Sequence, residues 1–196
     1  MWIVDNNRLF FMRVPKTGSH TIYQTFRGGR GFRAMHGKMG DIYRSDKKLY
    51  DKIVNSYKKY CIIRNPWDHA VSRYFHDIDV KRFGKRQLEK YDLYKSFDDY
   101  ILNNLYEPQQ NTTFRDDKIV IDEWIRFENL SQELEKICID NQIKFIKHHS
   151  NKNIDRENYF KYKYPKDYRI MYKKDETIEM VSRLSENEIK IFNYKF

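Results

Sequence analysis

The chain has 196 residues, a length that fits one domain built around a single sizeable core. Apolar residues make up 40% of it and aromatic residues 16%, which argues against a disordered chain, because disordered segments are poor in aromatics. Its 38 Lys and Arg against 28 Asp and Glu leave a formal charge of +10, which favours capture of anions without distinguishing a nucleotide from a nucleic acid or an acidic glycan.

In chain order, RLFFMRV over residues 8–14 is apolar on both faces, as a buried parallel strand is. Pro-Lys-Thr-Gly follows at once, and HTIYQTF over 20–26 reads as a helix. GGRG at 28–31 is a turn, and the short segment FRAM leads into His36. Apolar positions 49, 50, 53 and 54 give residues 47–56 one helical side. KYCII at 59–63 reads as a second buried strand, ended by Arg64-Asn65-Pro66, and 68–77 as a helix with Ala70, Val71, Tyr74 and Phe75 together. Residues 77–95 are rich in charge and read as a solvated surface segment. A helix is expected at 97–105, a strand near 118–127 and a helix from an N-capping Ser131 to about Asn141. Two short helical patterns at 175–183 and 185–192 end the chain. Alternating strands and helices predict a single α/β domain over 1–196, with a parallel sheet flanked by helices.

Cys61 and Cys138 lie in apolar stretches without metal-like spacing and read as buried free thiols. No run approaches the roughly 20 apolar residues of a membrane span. The N-terminus lacks a basic segment followed by a long apolar one, so a cytoplasmic protein is expected.

The chemistry concentrates at Pro15-Lys16-Thr17-Gly18-Ser19-His20-Thr21. A buried strand running through a Gly-containing turn into a helix aims free backbone N–H groups at one spot, and these hold an anion with the positive end of the helix dipole. Lys16 adds a mobile charge, and Thr17, Ser19 and Thr21 add short hydroxyls. A Walker A loop ends in Gly-Lys-Ser/Thr to hold nucleotide and Mg²⁺; here the Lys precedes the Gly, which favours a metal-free reaction over ATP hydrolysis. Taken alone, the loop reads equally well as a plain turn between strand and helix. A second motif, RNPWDHAVSRY, follows the strand at 59–63. Its Arg64 and Ser72, eight positions apart, can converge on a second phosphate, and Arg supplies a planar fork matched to phosphate oxygens.

With both motifs in this order, the sequence resembles the sulfotransferases that use 3′-phosphoadenosine 5′-phosphosulfate. PKTGSHT is similar to their 5′-phosphosulfate loop and RNPWDHAVSRY to their 3′-phosphate motif. The likeness is to carbohydrate sulfotransferases such as the heparan sulfate 2-O enzymes, rather than to the cytosolic phenol and steroid enzymes. It extends more weakly through FDDYI, IRFENL and the closing IFNYKF. It implies the P-loop-type sulfotransferase fold, a sulfuryl transfer to an acceptor hydroxyl on a glycan, and adenosine 3′,5′-bisphosphate as the product nucleotide. It assigns Lys16, Thr17, Gly18, Ser19, His20, Thr21, Arg64 and Ser72 to the nucleotide, with Lys152 and Arg156 in a late loop over the 3′-phosphate. His20 departs from the family's usual Thr or Ser, so Thr21 or the His ring takes that contact. His69 stands where many relatives have Arg and is expected to affect surface pairing.

Transfer to a hydroxyl needs its proton removed, and a positioned base contributes about 10²–10⁴ in rate. Of the six His, His36 is the choice: it follows a short apolar segment where a strand should end at the ligand-binding edge, and the resemblance places the base there. His20 is the rival; His76 reads as helix surface. Lys16 is expected to neutralise charge on the leaving phosphate. Basic residues Arg30, Arg33, Lys81, Arg82, Lys85 and Arg86 are candidates for an acidic-glycan cleft. Two alternatives stand beside this reading. One is a kinase-like phosphotransferase, disfavoured by the missing Gly-Lys-Ser/Thr. The other is a non-catalytic nucleic-acid binder, which needs neither phosphate motif.

Overall fold

The computed structural model describes residues 1–35, 39–78, 96–109, 111, 121–145 and 164–196. The chain divides into two compact units, Met1–Arg64 with Thr112–Ser150, and Asn65–Asn111 with Asn151–Phe196. They are called the sheet unit and the helical unit below.

The sheet unit is α/β, with a five-stranded sheet in the order β3-β1-β2-β4-β5. Its strands are β1 (Trp2–Val4), β2 (Leu9–Met12), β3 (Phe32–Ala34), β4 (Lys58–Ile63) and β5 (Glu123–Arg126). β2, β4 and β5 are parallel, in register at Met12↔Cys61 and Tyr60↔Glu123. β1 is antiparallel to both its neighbours, pairing Trp2 with Phe11 on one side and with Ala34 on the other. The sheet is therefore mixed, which corrects the expectation of a wholly parallel one. The run Trp-Ile-Val is only three residues long and lacks an Asn-Gly or Asp-Gly hairpin signal. A single-turn helix at Asp5–Asn7 makes the reversal instead, with Arg8 closing it in the left-handed conformation.

Strand period 2 sorts the core onto two faces. Trp2, Val4, Leu9, Phe11, Tyr60, Ile62 and Ile125 face α1 (Ser19–Phe26) through Ile22 and Phe26. They also meet α6 (Leu130–Asp140) through Leu134 and Ile137. Ile3, Phe10, Met12 and Cys61 face α2 (Met39–Ser45) through Ile42 and α3 (Lys47–Ser56) through Leu49 and Ile53. Helices thus cover both faces. Asp46 caps α3, accepting the Leu49 N–H at 2.9 Å. α6 starts at Leu130 with Asn129 at its N-cap position, so Ser131 lies inside the helix and does not cap it. Leu130 is buried against the sheet, and this packing draws the N-cap position two residues earlier. Both cysteines are free and buried, and burial raises the Cys138 thiol to about 11.

The helical unit holds α4 (Pro66–Asp77), α5 (Phe97–Leu102), α7 (Asp175–Leu184) and α8 (Glu186–Phe192). Asn65 caps α4 by accepting from Trp67 and Asp68, and Pro66 occupies the first helical position, where its missing N–H costs nothing. Aromatic rings fill this core: Tyr74 meets Phe97 and Tyr100 edge-on, and the Tyr172 hydroxyl donates to the Trp67 carbonyl at 2.9 Å. Among the described residues, no helix is long and apolar enough to cross a membrane.

Candidate functional site

The C-terminal ends of the three parallel strands β2, β4 and β5 lie along one edge of the sheet unit, the edge at which open α/β sheets bind ligands. The chain leaving β2 forms the loop predicted to hold phosphate. Thr17 is 1% exposed and its Oγ1 donates to the Val14 carbonyl at 2.9 Å, so this hydroxyl builds the turn. Lys16 and Gly18 both adopt left-handed backbone, at φ 66° and 83°.

Gly18 stands at the N-cap position of α1, and no side chain caps the helix there. Its carbonyl accepts from Thr21 at 2.9 Å, which starts the helix. The opening N–H groups of an α-helix lack the carbonyl four residues back that later ones use, and an end without a side-chain cap leaves the first of them pointing outward as anion donors. Gly18 cannot be replaced without distortion. Beyond its positive φ, an added Cβ would stand 2.4 Å from Leu130 Cδ2 and 3.1 Å from two ring carbons of Phe127.

Arg64, the first residue after β4, meets this loop. It is 7% exposed, its Nη1 donates to the Lys16 carbonyl at 3.1 Å, and its guanidinium carbon lies 4.4 Å from the centre of the Phe127 ring. Cation–π contact of this kind stabilises a desolvated guanidinium. Lys16, Thr17, Gly18, Ser19 and Arg64 are therefore gathered at one end of the sheet unit. His20 is exposed and its Nε2 lies 3.1 Å from Gln24 Nε2, one turn along α1. Thr21 is half-buried in the first turn.

β3 is antiparallel to β1, as β2 is, so β3 and β2 point the same way. Ala34 at its C-terminal end thus faces the edge that carries the phosphate loop, with β1 between them. His36 itself, and Lys152, Arg156, Lys81, Arg82, Lys85 and Arg86, lie outside the described residues. Ser72 belongs to the helical unit, on α4, and is buried. His69 corrects the expectation of surface pairing: it is 1% exposed, and its Nδ1 lies 3.0 Å from the Tyr106 hydroxyl. Position 69 falls on the packed side of α4, next to Ala70, so its ring pairs with an internal hydroxyl. His76 is half-buried at the end of the same helix, 3.1 Å from Asp77.

The opposite edge of the sheet unit carries an ionic cluster. The Asp5 carboxylate accepts from Tyr57 and Lys52 and pairs with Arg33 at 2.5 Å. Burial works to raise its pKa, but the Tyr57 hydrogen bond, the Arg33 charge and the Lys52 hydrogen bond outweigh it, and the carboxyl is held below its ordinary value. Among the described residues, no group of three or more His, Cys, Asp or Glu is placed to hold a metal ion.

No local pattern in the sequence marks Phe127 and Leu130 as the wall behind Gly18. The one signal for them is positional, an aromatic residue directly after the third parallel strand in IRFENL.

No protein-family model matches the chain, and no solved structure matches it. An uncharacterized protein of Archaeoglobus fulgidus is 35% identical over 95 residues, which cover 48% of this chain and 72% of that protein. The chain belongs to one family with it.

Proposed function

We propose that this protein is a sulfotransferase that takes 3′-phosphoadenosine 5′-phosphosulfate as donor and a hydroxyl, on a carbohydrate, as acceptor. The observation that carries the reading is the phosphate loop itself: a Gly18 with no room for a side chain, an α1 start without a side-chain cap, and Arg64 from the next strand donating to the loop carbonyl of Lys16. Those residues fit a phosphorylated nucleotide, because backbone N–H donors and two cations are what a polyanion requires.

The donor supplies a sulfuryl group whose bond to the bridging phosphate oxygen breaks as the acceptor oxygen bonds to sulfur. The first-turn N–H groups of α1 hold the phosphosulfate end. Lys16 offsets the charge that builds on the leaving phosphate, so its loss lowers the transfer rate more than it weakens nucleotide binding. His36 takes the proton of the acceptor hydroxyl; His20, exposed on α1, is the alternative base. The loop lacks the lysine placement of a Mg²⁺-nucleotide site, and this favours transfer without metal over a kinase-like reaction.

Adenosine 3′,5′-bisphosphate, the product nucleotide, tests the reading. Ligand at 100 times its Kd adds about 2.7 kcal/mol to the folded state, enough to raise Tm by several degrees. The bisphosphate is expected to do so, and ATP with Mg²⁺ to do less. No shift at millimolar bisphosphate overturns the donor assignment, and a larger shift with ATP and Mg²⁺ favours the phosphotransferase.

A further inference from the structure

We infer that Phe127 is a positioning residue of the phosphate loop, acting through Arg64 and Gly18; this rests on the loop being the nucleotide site proposed above. β4 and β5 are parallel and pair Ile63 with Arg126, so Arg64 and Phe127 leave adjacent strands side by side. The Phe127 ring then bears on the loop in two ways, through Arg64 and beside Gly18. Its face carries the Arg64 guanidinium at 4.4 Å, and Arg64 holds the Lys16 carbonyl at 3.1 Å. Two carbons of the same ring limit Gly18, standing 3.1 Å from where a Cβ would be.

The loop needs such a support. Lys16 is held at φ 66°, in a region that costs a residue with a side chain, and it persists only where its surroundings outweigh the cost. The hydrogen bond from Arg64 to the Lys16 carbonyl is one such influence. Its strength depends on the guanidinium staying flat in a buried place, at 7% exposure. An aromatic face holds a guanidinium electrostatically as well as by packing. A leucine in place of Phe127 fills comparable space and excludes water, yet it offers no negative π face. Without the face, Arg64 is held less firmly toward the Lys16 carbonyl, and the loop geometry that points the α1 donors at an anion is weakened.

The test is calorimetric titration of the whole chain with adenosine 3′,5′-bisphosphate. Phe127→Leu is expected to weaken binding about tenfold, which corresponds to about 1.4 kcal/mol. Phe127→Tyr, which keeps the face, is expected to bind within about twofold of the original chain. Arg64→Lys keeps the charge without the planar fork. Combined with Phe127→Leu, it should weaken binding by much less than the product of the two single effects, because both changes break one contact chain. A purely structural role of Phe127 lowers Tm and leaves the affinity unchanged, and that result overturns the inference. So does a Tyr variant as weak as the Leu variant, or a double variant whose effects multiply. Absent binding by the unaltered chain overturns the nucleotide reading itself, and the inference with it. Should Phe127→Leu not fold, Phe127→Met also lacks the π face and takes its place.

Discussion

The two units bury different things. In the sheet unit, both faces of the sheet pack apolar side chains, and the Asp5 cluster and the phosphate loop stand at opposite strand ends. In the helical unit, polar groups go inside. His69, Asp98, Gln109, Thr177, Ser185 and Glu188 are all at most 5% exposed. Some are satisfied: Thr177 donates to Asp98 at 2.7 Å, and Gln109 donates to Glu188 Oε2 at 3.3 Å. Others are not, since the Ser185 hydroxyl and Glu188 Oε1 are buried without a hydrogen-bond partner among the described residues. A sheet whose faces alternate with period 2 can send its polar residues to the edges. Short helices packed on several sides have fewer free faces, so polar positions become internal and must be paired, or stay neutral.

The largest effect that sharpens this contrast comes from Glu188. Burial raises its carboxyl to about 8 against an ordinary 4.5, and the Gln109 hydrogen bond opposes only part of that. For an acid with a raised native pKa, the folded chain holds the proton that the unfolded chain gives up. Stability is therefore full below pH about 4.5 and falls as pH rises toward 8. At about 1.4 kcal/mol for each tenfold change in proton affinity, this is a loss on the order of a few kcal/mol. Glu188→Gln should flatten this alkaline limb. Hydrogen exchange of the α8 amides, followed from pH 5 to 9, checks it, and the β2 amides should not share the trend. A mutant that keeps the alkaline loss removes Glu188 as its source.

Next comes Phe11→Ala in the sheet unit. Phe11 is fully buried, with the rings of Phe26 and Tyr60 about it, and aromatic-to-alanine changes in a core cost about 3–5 kcal/mol. The loss should be the same at pH 5 and pH 8, because no titrating group is involved; denaturant unfolding at both values measures it. The smallest effect is Asp5→Asn, about 0.5–1 kcal/mol in the range of exposed ion pairs. Its sign is opposite to that of Glu188. A carboxyl with a lowered native pKa stabilises above its unfolded pKa, and this contribution disappears as pH falls through the native value. Asp77 in the helical unit, where the His76 hydrogen bond leads the groups that overcome burial, adds to the same acid limb. Asp5→Asn should shrink the limb only in part and leave the alkaline one alone.

The same contrast explains what the sequence made legible. Residues 47–56 form the helix that its apolar spacing predicts, and the patterns at 175–183 and 185–192 are α7 and α8 within one residue. The apolar run RLFFMRV contains β2 at Leu9–Met12, KYCII lies within β4, and Pro-Lys-Thr-Gly sits between strand and helix as expected. β1 escaped because three residues carry too little period-2 signal, and the mixed sheet follows from that omission. His69 escaped because no local pattern shows that Tyr106, 37 residues away, supplies its partner. Phe127 escaped for a similar reason: its contacts to Gly18 and Arg64 join three strand ends far apart in the chain.

The proposed donor site is the loop at residues 15–21, and amide chemical shifts during titration with adenosine 3′,5′-bisphosphate test it most directly. Saturable shifts at Lys16, Gly18, Ser19 and His20, accompanied by Arg64, are the predicted result. Saturable binding that leaves every one of those amides unmoved would contradict it.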